Sequence, residues 1–276
     1  EVPTCLAVSD DGELVAVGTD EAAILIYELK APRGRGPKRL WPLHDQFEPH
    51  SDAIRGLAFS GTGHDQLVAV SEDNELSVID ADSPSVDIRL TLEGVKPSCV
   101  AAGGGIALVG GWKGSLVWVD IEEGDFVDLV TVAAETMPQP PAGRVQSTAV
   151  SADGKIGLSA TAEEPGNPQL WMWDLQDRAL LRSWSDLSEW VSRGLPCLIS
   201  DDATLGLSAT WDERLHVWDF GSNNGKAKGI VPEAASVLQL DRHPTCLAAP
   251  RSWTSGSTLL IGDYEGGVHA LRYTSS

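Results

Sequence analysis

Apolar residues occur in short runs along this chain, with polar turns breaking the runs at close intervals. "LVAV" at 14–17 is followed by "ILIY" at 24–27, "LVAV" at 67–70 by "LSVI" at 76–79, and "LGLSA" at 205–209 by "LHVW" at 215–218. Gly, Asp, Ser and Asn fill the gaps, the composition of tight turns between paired strands. Helical periodicity is scarce throughout. A weaker apolar segment precedes most of these pairs: "RLWPL" at 39–43, "VDIRLTL" at 86–92, "FVDLVTV" at 126–132 and "ALLRSW" at 179–184. Each reads as a further strand, so the pattern predicts an all-β chain built from units of about four strands.

The units are copies of one another. "CLAVSDDGELVAVGTDEAAILIY" (5–27) matches "STAVSADGKIGLSATAEE" (147–164) and "PCLISDDATLGLSATWDERLHVW" (196–218). Looser echoes are "HSDAIRGLAFSGTGHDQLVAVSEDNELSVID" (50–80), "PSCVAAGGGIALVGGWKGSLVWVD" (97–120), and "PTCLAAP" with "STLLIGDYEGGVHALRY" (244–273). Six copies therefore span the chain at spacings of about 43–51 residues, around the repeat length of four-stranded propeller blades.

In order and spacing, "HSDAIRGLAFS…SEDNELSVID" and "SATWDERLHVWDF" resemble the WD-repeat β-propeller family, and "LWMWDL" and "HVWDF" carry its closing Trp-Asp pair. The resemblance covers nearly the whole chain. It implies one propeller domain over 1–276, with blades near 1–45, 46–92, 93–134, 140–185, 186–240 and 241–276. It also implies a structural network of a His before the first strand, a Ser or Thr ending the second, an Asp in the turn and a Trp in the third. The second copy supplies His50, Ser71 and Asp73, with Ile79 in the Trp position. The fifth supplies Thr210, Asp212 and Trp218, with Leu187 in the His position. The fourth keeps Thr161 and Trp173 and inserts "EEPGNP" at the turn. The sequence starts on an inner strand and ends on a third strand, one outer strand short of six full blades. The expectation is six visible blades with one incomplete; a seven-bladed parent is the alternative.

Cys5, Cys99 and Cys246 fall at one repeat position on the innermost strand, where other copies have Gly56 and Ser147. Small size is the shared property, so these thiols read as packing residues. Cys197 lies one place off unless a residue is gapped, which leaves its orientation open. Four cysteines without a secretion signal or Cys-x-x-Cys spacing predict neither a disulfide framework nor a metal site. A reducing, cytoplasmic setting is expected. No nucleophile elbow is present, and "GGG" at 103–105 lacks the Lys of a phosphate loop. Asp-rich turns lack the register of calcium loops. His216 and His269 share a third-strand position. The chain is thus read as non-enzymatic, with no cofactor and no metal.

Charge narrows the partners. Acidic residues number 40 against 20 basic ones, a formal charge of −20. Such a surface repels nucleic acid and anionic membranes and steers basic proteins or peptides toward itself. "PRGRGPKR", with Arg33, Arg35, Lys38 and Arg39, is a local exception and reads as a solvated loop. The turn joining second and third strands holds Asp20, Glu72, Trp112, Ala162, Trp211 and Tyr264 at one repeat position. In propellers of this family these turns lie on one rim. Each ring has two readings: it folds over its own blade edge, or it anchors a partner. As a set, Trp112, Trp211 and Tyr264 are taken as a binding rim, with Asp20 and Glu72 favouring a basic partner and Trp190 and Arg193 extending it. The function expected is a scaffold or adaptor presenting a rigid rim to a protein or peptide, within a larger complex. The alternative is a sensor propeller excised from a multidomain signalling or defence protein, which the missing initiator Met fits.

Overall fold

A computed structural model of the chain describes residues 1–28, 43–60, 66–83, 85–133, 143–162, 169–184, 196–221, 236–250, 253 and 256–274. Its strands group into six antiparallel sheets in which sequence neighbours are hydrogen-bonded neighbours. The first sheet is β1 (Pro3–Val8), β2 (Leu14–Thr19), β3 (Ile24–Glu28) and β4 (Leu43–Phe47). The second is β5 (Ile54–Phe59), β6 (Gln66–Ser71), β7 (Glu75–Asp80) and β8 (Ser85–Thr91). The third is β9 (Pro97–Gly103), β10 (Ile106–Gly111), β11 (Leu116–Asp120) and β12 (Phe126–Asp128). The fourth is β13 (Arg144–Val150), β14 (Ile156–Ala162), β15 (Gln169–Asp174) and β16 (Ala179–Trp184). The fifth is β17 (Cys197–Ile199), β18 (Leu205–Thr210), β19 (Arg214–Asp219) and β20 (Ser236–Gln239). The sixth has three strands, β21 (Pro244–Ala248), β22 (Thr258–Asp263) and β23 (Val268–Arg272). The architecture is an all-β propeller of six blades, the last incomplete.

One apolar segment differs from its reading as a fourth strand, and another falls mostly outside the described residues. In the first blade the strand is β4, beginning at Leu43, where "RLWPL" ends; residues 39–42 lie outside the described set. In "FVDLVTV" only Phe126–Asp128 is strand, and Leu129–Ala133 is a short helix, α1. Asp128 caps it: its Oδ1 accepts the Val130 N–H at 3.0 Å, and Oδ2 accepts the Thr131 hydroxyl at 2.8 Å. This N-cap satisfies donors that would otherwise be orphaned, so the local signal overrides the β-branched composition.

The first turn of three blades is one device. Ser9, Ser151 and Ser200 each donate to the Asp two residues on, Asp11, Asp153 and Asp202, at 2.6, 2.8 and 2.7 Å. Each of those hydroxyls in turn accepts the N–H that opens the next strand, from Leu14, Ile156 and Leu205. The Asp-rich turns are therefore hairpin formers. "GGG" has a packing role. A Cβ on Gly103 would lie 2.4 Å from the Ser151 carbonyl oxygen, and one on Gly104 would lie 2.3 Å from the Asp153 carbonyl carbon. Bare backbone lets the third blade's turn touch the fourth's.

Five of the six first strands share a β-bulge. Register slips between Pro3 and Cys5, Ile54 and Gly56, Pro97 and Cys99, Val145 and Ser147, and Pro244 and Cys246. Beyond the bulge, Cys5, Cys99 and Cys246 face Gly18, Gly110 and Gly262 across the strand pair, while Gly56 faces Val70 and Ser147 faces Ala160. A larger side chain on one strand is matched by a smaller one on the other, which holds the pair's volume nearly constant. Cys197 pairs with Ser208 and so takes the position of Leu6 and Leu57, one place off the Cys5 slot. It points back at the fourth blade, and its N–H donates to Ser147 Oγ at 3.1 Å. Burial pushes the Cys99 thiol up to about 11 and Cys197 up to about 12, so neither offers a thiolate near neutral pH.

Apolar clusters sit between successive blades. Ile24 and Ile26 meet Leu57 and Phe59 at the first junction, and Val68 and Val70 meet Val109 at the second. Leu108 and Trp118 meet Val145 at the third, Leu158 and Met172 meet Cys197 at the fourth, and Leu207 and Ala209 meet Ile261 at the fifth.

Candidate partner-binding rim

The turn between second and third strands has one backbone form in four blades. Its third residue, counted from the strand end, has positive φ: Ala22, Asn74, Glu213 and Gly266; the third blade differs, with Lys113 and Gly114 both left-handed. Where the closing bond is seen, it runs from Asn74, Glu213 and Gly266 N–H to the Ser71, Thr210 and Asp263 carbonyl oxygens, each at 3.2 Å. This is a type I turn with a left-handed residue, which returns the chain into the next strand and leaves its first central residue on the outside. Asp20, Glu72, Trp211 and Tyr264 hold that outside position, and Trp112 is the first residue of the third blade's own turn. Four of them are anchored identically: the N–H of Asp20, Glu72, Trp112 and Tyr264 donates to the carbonyl of Val2, Ala53, Lys96 and His243, each at 3.0 Å.

The aromatic side chains divide into two groups. Trp211 stacks on His243 of the sixth blade, with ring centroids 4.5 Å apart and planes 8° apart. Tyr264 approaches Trp211 edge-on at 5.5 Å. His243 Nδ1 lies 2.7 Å from the Trp211 carbonyl oxygen, which fixes the ring in place. Three rings thus form one cluster across two blades, with Tyr264 exposed and Trp211 half-buried. Trp112, on the third blade, is exposed and lies between cations, Lys96 Nζ at 5.7 Å and the Arg144 guanidinium at 5.4 Å.

Glu72 is committed within the protein. Its carboxylate accepts Arg55 Nε at 2.7 Å and lies 3.5 Å from Lys96 Nζ. Asp20 accepts the Val2 N–H at 2.6 Å through one oxygen and is otherwise exposed. Trp190 and Arg193, with Leu187 and the Arg33–Arg39 loop, lie outside the described residues.

Of the structural residues, His50 and Asp73 meet as the resemblance implies. His50 Nδ1 lies 3.0 Å from Asp73 Oδ2, which also accepts the Ser51 N–H at 2.9 Å. Burial lowers the His50 pKa, against the opposing pull of Asp73. Ser71 is tied to Asp73 through the backbone: its hydroxyl accepts the Asp73 N–H at 3.2 Å and donates to the Asp52 carbonyl at 2.8 Å. His50, Asp73 and Glu75 are close enough to suggest a cation site. Both carboxylates are engaged within the blade: Glu75 pairs with Arg89 at 3.0 Å, and Asp73 Oδ1 accepts the Glu75 N–H; His50 Nε2 is buried with no hydrogen-bond partner among the described residues.

The tryptophans find different partners from those implied. Trp173 Nε1 donates to Ser159 Oγ and Trp218 Nε1 to Ser208 Oγ, each at 2.9 Å. The acceptors stand two residues before Thr161 and Thr210. Thr161 Oγ1 is buried without a partner among the described residues, and Thr210 donates to Asp212. The signal was present in the sequence: "GLSAT" occurs at 157–161 and again at 206–210, ahead of both tryptophans.

No protein-family model matches the chain, and no curated protein matches it. Solved structures do. One is the crystal structure of RRP9 WD40 repeats, with a TM-score of 0.71 and 17% identity, covering 94% of this chain and 72% of that one. Another is the structure of U3-55K, with a TM-score of 0.72 and 17% identity over the same shares. At that identity the likeness establishes the fold alone, a β-propeller of the kind those WD40 repeats form.

Proposed function

We propose that the propeller is a non-enzymatic interaction scaffold whose rim holds a protein or peptide partner through Trp112 and the Trp211–Tyr264 cluster. The observation that carries this reading is the placement of aromatic rings at one outward turn position on the third, fifth and sixth blades. The backbones of Trp112 and Tyr264 are pinned by a common hydrogen bond and their rings are exposed, while Trp211 is held by its contacts with His243. Preordered aromatic side chains lose little conformational entropy on binding and bury large area, the properties of interface anchors. The charge of −20 adds long-range attraction for a basic partner. Because Glu72 is paired internally, that attraction rests on the whole surface and on Asp20.

The test replaces Trp112, Trp211 and Tyr264 by Ala and measures partner capture beside thermal stability. Capture lost at near-unchanged melting temperature supports the rim. Capture retained while the protein melts earlier shows that the rings serve packing and overturns the proposal.

A further inference from the structure

One repeat position lies beside the rim turn and reaches the turn of the blade before it. It holds Val2, Ala53, Lys96 and His243, whose carbonyl oxygens accept the turn N–H of their own blades, and Arg144, which pairs with Ala162 across the fourth blade. Three of these side chains touch the preceding blade's turn residue. Lys96 Nζ lies 3.5 Å from the Glu72 carboxylate, the Arg144 guanidinium lies 5.4 Å from the Trp112 ring centroid, and His243 stacks on Trp211. The contact is one device with three chemistries: an ion pair, a cation on a ring, and a ring on a ring.

The charge balance differs between them. Glu72 answers Lys96 and Arg55 together. Trp112 offers Arg144 a ring and no carboxylate, and among the described residues Arg144 forms no ion pair. Its Nε is buried with no hydrogen-bond partner there, so the terminal N–H groups are the ones a partner reaches. Acids outnumber bases 40 to 20 in this chain, and four other arginines, Arg55, Arg89, Arg214 and Arg242, do pair with carboxylates. The corner is also held in place. Val145, next to Arg144, accepts the Ser98 hydroxyl at 2.6 Å and packs on Gly110, while Lys96 holds the Trp112 N–H at 3.0 Å. A cation–ring contact occupies no N–H donor, and a guanidinium's planar fork matches the two oxygens of a carboxylate.

We infer that the corner formed by Trp112, Lys96 and Arg144 is a socket for one carboxylate side chain, Asp or Glu, on the partner peptide. This rests on the rim reading above and adds the partner's chemistry to it. The charge of −20 draws a basic segment to the surface as a whole. An acidic residue in that segment meets like charge over most of the surface and opposite charge at this corner. The socket therefore fixes the register of the peptide along the rim more than it adds to its affinity.

The probe is a phage-displayed library of short random peptides, panned on the chain at about 0.15 M ionic strength, where exposed charges are screened beyond about 8 Å. Peptides kept by the chain and lost by the Trp112→Ala, Trp211→Ala, Tyr264→Ala variant report the rim. The socket predicts an Asp or Glu at a shared position in them. Fluorescence anisotropy on the synthetic peptides then closes a cycle. Exchanging that acid for its amide, or Arg144→Gln in the chain, weakens binding at least about tenfold, and the two together weaken it little more than either alone. The exchange in the peptide leaves the protein untouched, so the test does not depend on how the variant folds. Arg144→Lys, which keeps the charge and loses the fork, recovers part of the loss. Rim-dependent peptides without a shared acid, or losses that add in full, overturn the socket and leave the rim standing. A phosphoserine at that position that binds more than about tenfold tighter than the acid makes phosphate the group recognised and overturns the carboxylate. A library that yields no rim-dependent peptide overturns the rim reading and the socket with it.

Discussion

Replacing Gly110 and Gly262 by Ala should have opposite consequences, although the two glycines occupy one register position. A Cβ on Gly110 would lie 2.4 Å from Val145 Cγ1 and 2.7 Å from Cys99 Sγ. Carbon atoms rest about 3.5–4.0 Å apart, so the fourth blade would have to retreat by about 1 Å. Overpacking of this kind costs about 1–3 kcal/mol. At Gly262 the one atom closer than 3 Å among the described residues is Cys246 Sγ, at 2.5 Å, the end of an exposed side chain. Relief of the glycine's excess chain entropy offsets what strain remains, by about 0.5–1 kcal/mol. Gly110→Ala should therefore lower the melting temperature by about 2–12 °C, at about 2–4 °C per kcal/mol for a chain of this size, and Gly262→Ala should leave it within about 2 °C. Thermal unfolding should be followed by far- and near-ultraviolet circular dichroism together, because repeat arrays can unfold in steps. Adding Val145→Ala should restore part of the Gly110→Ala loss, although Val145→Ala destabilises the parent chain. Equal losses at Gly110 and Gly262 would refute the reasoning, since they would mean that the sixth blade's face is already covered.

Ser208→Ala removes the acceptor of the buried Trp218 N–H and should cost about 1–3 kcal/mol in urea unfolding. Combined with Trp218→Phe, the loss should fall below the sum of the single changes; strict additivity would show that the bond contributes nothing. Acid should weaken the fold in two stages. Burial holds His50 and His216 below their ordinary value of 6.5, so the unfolded chain binds protons first. Their contribution is complete above about pH 7 and declines as pH falls through 6.5. Asp73, Asp153 and Asp202 have lowered pKa values because hydrogen bonds outweigh the opposing effect of burial. Their contribution is lost below about pH 4. Urea midpoints at pH 7.5, 6.5 and 5.5 check the first stage. His216→Phe should flatten that decline, and a parent chain more stable at pH 5.5 than at 7.5 would contradict the signs.

Much of the architecture was legible because strand pairing in a propeller is local. "LVAV" and "ILIY" are adjacent in sequence and adjacent in the sheet. The outward turn slot was legible for the same reason, since it lies at a fixed distance from the strand end. The fourth strands were less so. "FVDLVTV" has strand composition, yet Asp128 can cap a helix, and which tendency prevails depends on what Leu129 is buried against. The tryptophan partners were misplaced because the resemblance supplied the strand-end residue, while the indole reaches the Ser two residues earlier.

Alternation of apolar and polar residues, with Gly and Asp at the turns, determined the blades, their order and the common place of Trp112, Trp211 and Tyr264. Those properties depend on neighbours along the chain. The tertiary structure decided that Cys197 stands one place off the Cys5 slot, since register is set by hydrogen bonds to β18. It also decided that the two "PTCLA" words differ in circumstance. Thr4 meets the Ile54 carbonyl of a following blade, and Thr245, among the described residues, bonds only the Gly262 carbonyl of its own sheet. Identical letters yield different surfaces because burial is a property of whatever stands across the junction, which no local pattern contains.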